Sequence, residues 1–325
     1  MVNPIKINGT NTEEYFLIFR TFLYSVIGVI IILGNICVIL ILPKVRSYSE
    51  RATKVFLYSL TLADLLTGIL LCVPKVITSA IDKWPFGDVL CTMSAYGRIF
   101  LHVGALLSLL AVTIDRYLAI AYPLRYPTFM TCKAAIRATL VLWLISALFG
   151  CIYGPILGRP SAYFPLYSSC AFASSDPDAT DYSVIICFIA FTIAPFVTTI
   201  VLYMRIYRIV NQHQKFKVGQ LASHHNPSIR NLKFMKTFTI VVFFFAVTWI
   251  PSVMIHYIEE LSTIVISNQY TTFVVEMLIL CNSGVNVFIY FWRNREFRGV
   301  AMEKLGSKCR RENDRSTKSH TSITT

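Results

Sequence analysis

Seven long apolar stretches, joined by shorter polar connections, constrain this chain more than any other feature. They lie near residues 22–42, 55–79, 92–116, 136–157, 182–207, 235–258 and 268–291. Each is long enough to cross a bilayer core of about 30 Å, which takes about 20 helical residues. Inside lipid no water is present to satisfy backbone groups, so such stretches must close their hydrogen bonds within a helix. A soluble domain carries roughly a quarter charged residues, whereas 14% of these 325 residues are charged and 55% are hydrophobic. An all-α membrane protein, a seven-transmembrane helix bundle, is expected. The runner-up topology merges or loses the last stretch, because Glu276 sits inside it.

The basic residues orient the bundle. Segments 43–54, 116–137, 205–236 and 293–318 hold four, four, seven and nine Lys and Arg, 24 of the 30 in the chain. They are alternate connections plus the tail, so they share one side, and an excess of Lys and Arg marks the cytoplasmic side. The formal net charge of +13 is therefore mostly topological and lipid-facing. No nucleic-acid footprint is expected. Residues 1–21 form a short polar leader on the outside, where Asn8-Gly9-Thr10 is a glycosylation sequon. The leader lacks the pattern of a cleavable signal peptide, so the first helix is expected to act as the signal. None of the nine cysteines has zinc-site spacing, and only Cys91 and Cys170 fall where an oxidising exterior could pair them.

Several polar residues inside the apolar stretches point inward. Asn35, beside Gly34, needs a partner on a neighbouring helix, and Gly34 allows close packing. Asp64 is the only acid in the second helix and faces the bundle interior. In the third stretch an uncharged run from Ile99 to Ile114 ends in Asp115-Arg116-Tyr117. A charge pair at that depth is costly unless it serves a purpose at the membrane edge. Pro251 in the sixth stretch removes a helix hydrogen bond and kinks the chain. Residues 293–305 read as an amphipathic membrane-surface helix with Phe297, Val300, Ala301 and Leu305 on one face. Cys309 is a palmitoylation candidate. The tail, 306–325, is poor in apolar residues and expected to be disordered. It carries Ser316, Thr317, Ser319, Thr321, Ser322, Thr324 and Thr325 as phosphorylation candidates.

Taken together, Gly34-Asn35, Leu62-Ala63-Asp64-Leu65, Trp84-Pro85-Phe86-Gly87, Asp115-Arg116-Tyr117, Trp143, Pro195 with Tyr203, Phe245 with Trp249 and Pro251, and Asn282-Ser283 with Asn286 and Tyr290 resemble, in order and depth, a rhodopsin-like G-protein-coupled receptor. The resemblance covers roughly residues 22–305. It implies a disulfide between Cys91 and Cys170 that pins an outer loop over the bundle mouth. It implies a switch in which Arg116, held by Asp115 and flanked by Tyr117, meets a heterotrimeric G protein. Tyr203, Phe245, Trp249, Pro251, Asn286 and Tyr290 would serve that switch. Asp64, Asn35, Asn282 and Ser283 would form a polar core in which the family often places a sodium ion, although Ala105 stands where a serine usually helps to bind it. Val287 stands where the family usually has proline, so a straighter seventh helix is expected.

The resemblance also places a ligand pocket in the outer half of the bundle. Amine receptors of the family carry an aspartate where this chain has Arg98, so a biogenic amine is disfavoured. Leu280 replaces the retinal-binding lysine of the opsins. Arg98 has the fork geometry to bind an anion. It has an alternative partner in Glu276, which faces the third helix in this family, and a zwitterion inserted between them is a third reading. Further candidates are Lys75, His102, Cys187, Phe191, Trp249, Ser252, Val253 and His256. Residues 226–236, at the base of the sixth helix, contain no acid, so only Asp115 is expected to restrain Arg116.

The sequence therefore reads as a receptor at the plasma membrane, N-terminus outside and C-terminus cytoplasmic. It would convert binding of a small molecule or short peptide into G-protein activation, with arrestin and a receptor kinase acting at the tail. A non-signalling or scavenging seven-helix receptor is the alternative. A transporter or channel, which would show inverted repeats and broken helices, is further off. No catalytic constellation, metal cluster or phosphate loop is visible, so neither an enzyme nor a cofactor is expected.

Overall fold

The computed structural model describes residues 11–45, 51–156, 158–173, 186, 189–217, 240, 243–252, 254–255, 258, 266–293 and 295–303. In chain order its long helices are α1 (Asn11–Ile41), α2 (Arg51–Ile81), α3 (Gly87–Ala121), α4 (Cys132–Gly154), α5 (Ile189–Gln212), α6 (Phe243–Ser252) and α7 (Gln269–Arg293). All but α6 are long and apolar enough to cross a membrane, and α6 is the longest described run of the sixth apolar stretch. Residues 295–303 continue as a short helix, α8. Glu276 does not break the last span: α7 is helical throughout. The fold is thus consistent with the seven-helix bundle expected from the sequence.

α1 begins at Asn11, well before the expected residue 22. Glu13 and Glu14 fall in its first turn, where the unsatisfied amides favour acidic side chains. Phe16 then packs edge-on against Tyr270 and Phe273 of α7, at 4.7 and 5.6 Å between ring centroids. Residues 11–21, expected to be leader, are therefore the first turns of a packed helix.

α2 contains a π turn, Gly68–Cys72, just before Pro74. Such a turn inserts a residue and re-aims the side chains beyond it. Beyond it Lys75, Thr78 and Ser79 are all buried. α3 runs through the middle of the bundle and buries Leu101, Val103, Leu106, Leu109 and Val112. Ser108 of α3 shares a 2.8 Å hydrogen bond with Ser59 of α2, and the indole of Trp143 on α4 donates to the same Ser59 at 2.9 Å. These bonds tie three helices at one level.

Between α4 and α5 lies a feature the helix pattern did not announce, an antiparallel hairpin of β1 (Ser161–Phe164) and β2 (Ser169–Phe172). Tyr163 pairs with Cys170, and Cys170 is disulfide-bonded to Cys91 in the second turn of α3. Trp84, Tyr163 and Phe172 pack around the disulfide. The hairpin is thereby fixed across one end of the bundle.

α8 does not simply lie flat. Phe297 and Ala301 are buried in the same core cluster as Val38, Ile41 and Tyr290, with Val300 packed against it. α7 passes Val287 as unbroken helix. Val287 meets Gly34 of α1 so closely that a Cβ on Gly34 would lie 2.9 Å from both of its methyl groups. Gly34→Ala should therefore cost about 1–3 kcal/mol through overpacking. Val287→Ala in the same chain should recover most of that in a thermal-unfolding measurement. Equal stability of Gly34→Ala and wild type would show that the helices can part without penalty.

Candidate functional site

Two polar constellations occupy opposite ends of α3. At the hairpin end a cavity of about 280 Å³ lies between α3, α4, α5, α6, α7 and the hairpin. Its wall is largely apolar and aromatic, with Ile99, Val103, Leu106, Phe149, Tyr153, Phe172 and Ile279. Its polar members include Arg98, His102, Ser252, Thr272 and Glu276. His102, one turn along α3 from Arg98, meets Trp249 edge-on at 4.3 Å between ring centroids. Trp249 stacks on Phe245 at 5.5 Å, and Phe245 reaches Phe196 at 5.7 Å. An aromatic column thus descends from the cavity between α5 and α6.

Arg98 and Glu276 face each other across the mouth. Arg98 Nη1 donates to Glu276 Oε1 at 2.8 Å, and Nη2 reaches Oε2 at 3.3 Å and Ser169 Oγ of the hairpin at 2.5 Å. Lys75 Nζ, behind Glu276, donates to Oε2 at 2.7 Å and to the Tyr167 carbonyl at 2.6 Å. Its ammonium lies 5.1 Å from the centroid of the Tyr24 ring. The sequence marked Lys75 only as a further lining candidate; the structure makes it the third member of a charge cluster. Phe191 stacks on Phe149 at 4.2 Å, one layer behind the cavity wall. Cys187, Val253 and His256 lie outside the described residues.

Midway along the bundle, Asn286 Nδ2 donates to Asp64 Oδ2 at 2.9 Å. Asn35 Nδ2 donates to the Ile31 carbonyl at 2.9 Å and across to the Ser283 carbonyl at 3.3 Å. Asn282 and Ser283 are buried in the same region. Such groups are stable in an apolar interior only when hydrogen-bonded to one another.

At the far end Asp115 is fully buried and accepts hydrogen bonds from three side chains. Its Oδ2 accepts from Arg116 Nε at 3.0 Å, Arg116 Nη2 at 2.7 Å and Thr53 Oγ1 at 2.8 Å. Its Oδ1 accepts from the Tyr126 hydroxyl at 2.6 Å. Arg116 also donates to the Thr53 hydroxyl. The expectation that Asp115 alone restrains Arg116 is corrected: Thr53 binds both members, and Tyr126 holds the aspartate. Tyr117 packs against Ile206 and Val210 of α5, and Tyr203 and Tyr290 are buried in the adjacent core. Segment 226–236 lies outside the described residues, as do Asn8, Cys309 and the tail.

A family model described as the 7 transmembrane receptor (rhodopsin family) matches residues 34–290, which span every one of these constellations. The chain belongs to the rhodopsin family of seven-transmembrane receptors. It is a G-protein-coupled receptor and a multi-pass membrane protein, with a G protein and a ligand as its partners, and not an enzyme. The receptor is 26% identical to an alpha-1A adrenergic receptor of Oryzias latipes, over 92% of this chain and 69% of that protein. It is 29% identical to the adenosine receptor A2b of Gallus gallus, over 87% of this chain and 86% of the relative. It is 26% identical to the tachykinin-like peptides receptor 86C of Drosophila melanogaster, over 85% of this chain and 56% of the relative. These names cover an amine, a nucleoside and a peptide, so the receptor's own ligand has to be read from its cavity.

Proposed function

We propose that the hairpin end faces outside at the plasma membrane and that the cavity beneath it receives an extracellular small molecule or short peptide. Arg98, His102, Glu276, Trp249 and Ser252 would contact that ligand, with Phe191, Cys187 and His256 close by. A biogenic amine is disfavoured, because Arg98 presents a cation where an ammonium would need an acid. Ligand binding would shift a two-state bundle. Trp249 and Phe245 would move together, α6 would swing outward about Pro251, and Asn286, Tyr290 and Tyr203 would settle the open form. Arg116, released from Asp115 beside Tyr117, would meet a heterotrimeric G protein on the cytoplasmic side. Asp64, Asn35, Asn282 and Ser283 would carry the change through the middle. A receptor kinase and arrestin would act on the tail, Asn8 would carry a glycan and Cys309 a palmitoyl chain.

The observation that carries this reading is the layout of α3, with Arg98 lining the cavity at one end and Arg116 latched at the other. The test is nucleotide exchange on a G protein by the reconstituted receptor. Arg116→Ala should reduce exchange to background while leaving the protein folded. Exchange unaffected by that substitution would remove Arg116 from the mechanism.

A further inference from the structure

We infer that the cavity takes a small organic monoanion, a carboxylate on an apolar or aromatic body, with Arg98 as its anchor. This rests on the reading of the cavity as the ligand site and goes beyond it by assigning the ligand's chemical class.

Lys75, Glu276 and Arg98 form one chain of contacts, two cations on a single carboxylate. The described cluster therefore carries one uncompensated positive charge. Lys75 takes Glu276 Oε2 at 2.7 Å, and the second bond from Arg98 to that oxygen is the long one, at 3.3 Å. Of the five N–H donors of a guanidinium, three are engaged, by Glu276 twice and by Ser169 once. The Nε–H and one Nη1–H have no partner among the described residues. The two cations are not equivalent. The side chain of Lys75 is 2% exposed and does not line the cavity, whereas that of Arg98 is 24% exposed and does. The excess charge is thus offered to the cavity by Arg98, with hydrogen-bonding capacity to spare.

Charge balance then selects the ligand. A cation would raise the cluster to two uncompensated charges. A neutral molecule or a zwitterion would leave one. A monoanion brings it to zero, in a largely apolar cavity where charge interactions are stronger than in water. A carboxylate matches the planar fork of Arg98. The remainder of the ligand must suit Ile99, Val103, Leu106, Phe149 and Ile279. At about 280 Å³ the cavity is at the lower end of small-ligand sites, which favours a compact acid over a peptide.

The probes are phenylacetate, phenylacetamide and phenethylamine, with octanoate and indoleacetate as acids of other shapes. Each is titrated against the purified full-length receptor in lipid nanodiscs, with thermal stabilisation as the readout. At least one of the three acids should stabilise the wild type, and phenylacetate should bind at least about tenfold tighter than its amide; the amine should give no stabilisation. Lys75→Met, which neutralises the cluster without touching the anchor, should weaken acid binding about tenfold, and Arg98→Gln should abolish it. No stabilisation by any acid, or an amide or amine that matches phenylacetate, would overturn the assignment. So would acid binding unchanged in both variants. The comparison of acid with amide uses the wild type, so a variant that fails to fold does not shield the idea. Nucleotide exchange measured on the same preparation separates the two readings. Acid binding without exchange supports the ligand class and counts against the proposed signalling, whereas exchange without acid binding overturns the ligand class alone.

Discussion

Glu276→Leu is expected to lower the stability of the folded receptor by about 3–5 kcal/mol, the cost of breaking a buried ion cluster by removing one partner. The carboxylate accepts one bond from Lys75 and two from Arg98, and its side chain is only 7% exposed. Without it Lys75 keeps the Tyr167 carbonyl and the face of Tyr24 but loses its counter-charge. The ammonium cannot reach water, and an unpaired charge in an apolar interior is strongly unfavourable. The penalty should therefore come mainly from Lys75 and less from Arg98, which retains access to the cavity. Thermal unfolding of purified receptor checks this. Lys75→Met combined with Glu276→Leu should recover most of the loss, and adding Arg98→Met should contribute less. If the Lys75→Met/Glu276→Leu receptor is no more stable than Glu276→Leu, the loss reflects poor packing of the leucine rather than stranded charge.

The cluster also illustrates what the sequence could and could not reveal. Glu276 and Arg98 announce themselves, because a charge inside an apolar stretch must find a partner, and family depth brought the two to one level. Lys75 was harder to place. Helical periodicity predicts which way a side chain points only while the helix is regular, and the π turn at Gly68–Cys72 breaks that register seven to three residues before Lys75. The same difficulty hid Thr53 and Tyr126. Their bonds to Asp115 cross 62 and 11 residues of chain, and threonine and tyrosine are ordinary in amphipathic segments. The hairpin was invisible for another reason. The four residues of β1 are all half-buried, so no alternation of buried and exposed positions marks a strand. Ser169 could have been found, since it precedes Cys170, and the implied disulfide carries its neighbour over α3 toward Arg98. The start of α1 looked like leader because Asn11-Thr12-Glu13-Glu14 is polar, and only the packing of Phe16 on α7 gives those turns a place.

Asp115→Asn is expected to raise ligand-free nucleotide exchange by at least about tenfold, since 1.4 kcal/mol corresponds to that factor. Asp115 is fully buried and accepts four hydrogen bonds, two of them from Arg116. A bond to a charged group contributes about 1.5–3 kcal/mol, so losing the carboxylate removes more than enough to move a two-state bundle toward the form with Arg116 free. Asparagine preserves the shape but replaces one acceptor oxygen with a donor, which faces either the Tyr126 hydroxyl or the guanidinium. Residues 226–236 contain no acid. The surrounding donors allow a graded test. Tyr126→Phe removes one bond and leaves the charge pair, so its effect should be several-fold smaller than that of Asp115→Asn. Thr53→Val removes the hydroxyl that binds both Asp115 and Arg116, and its effect should fall between the two. An ordering of Asp115→Asn, Thr53→Val and Tyr126→Phe from largest to smallest would identify the ion pair as the latch and the two hydroxyls as its supports. Ligand-free exchange that stays at the wild-type level in Asp115→Asn would mean that Arg116 is held by contacts other than this carboxylate.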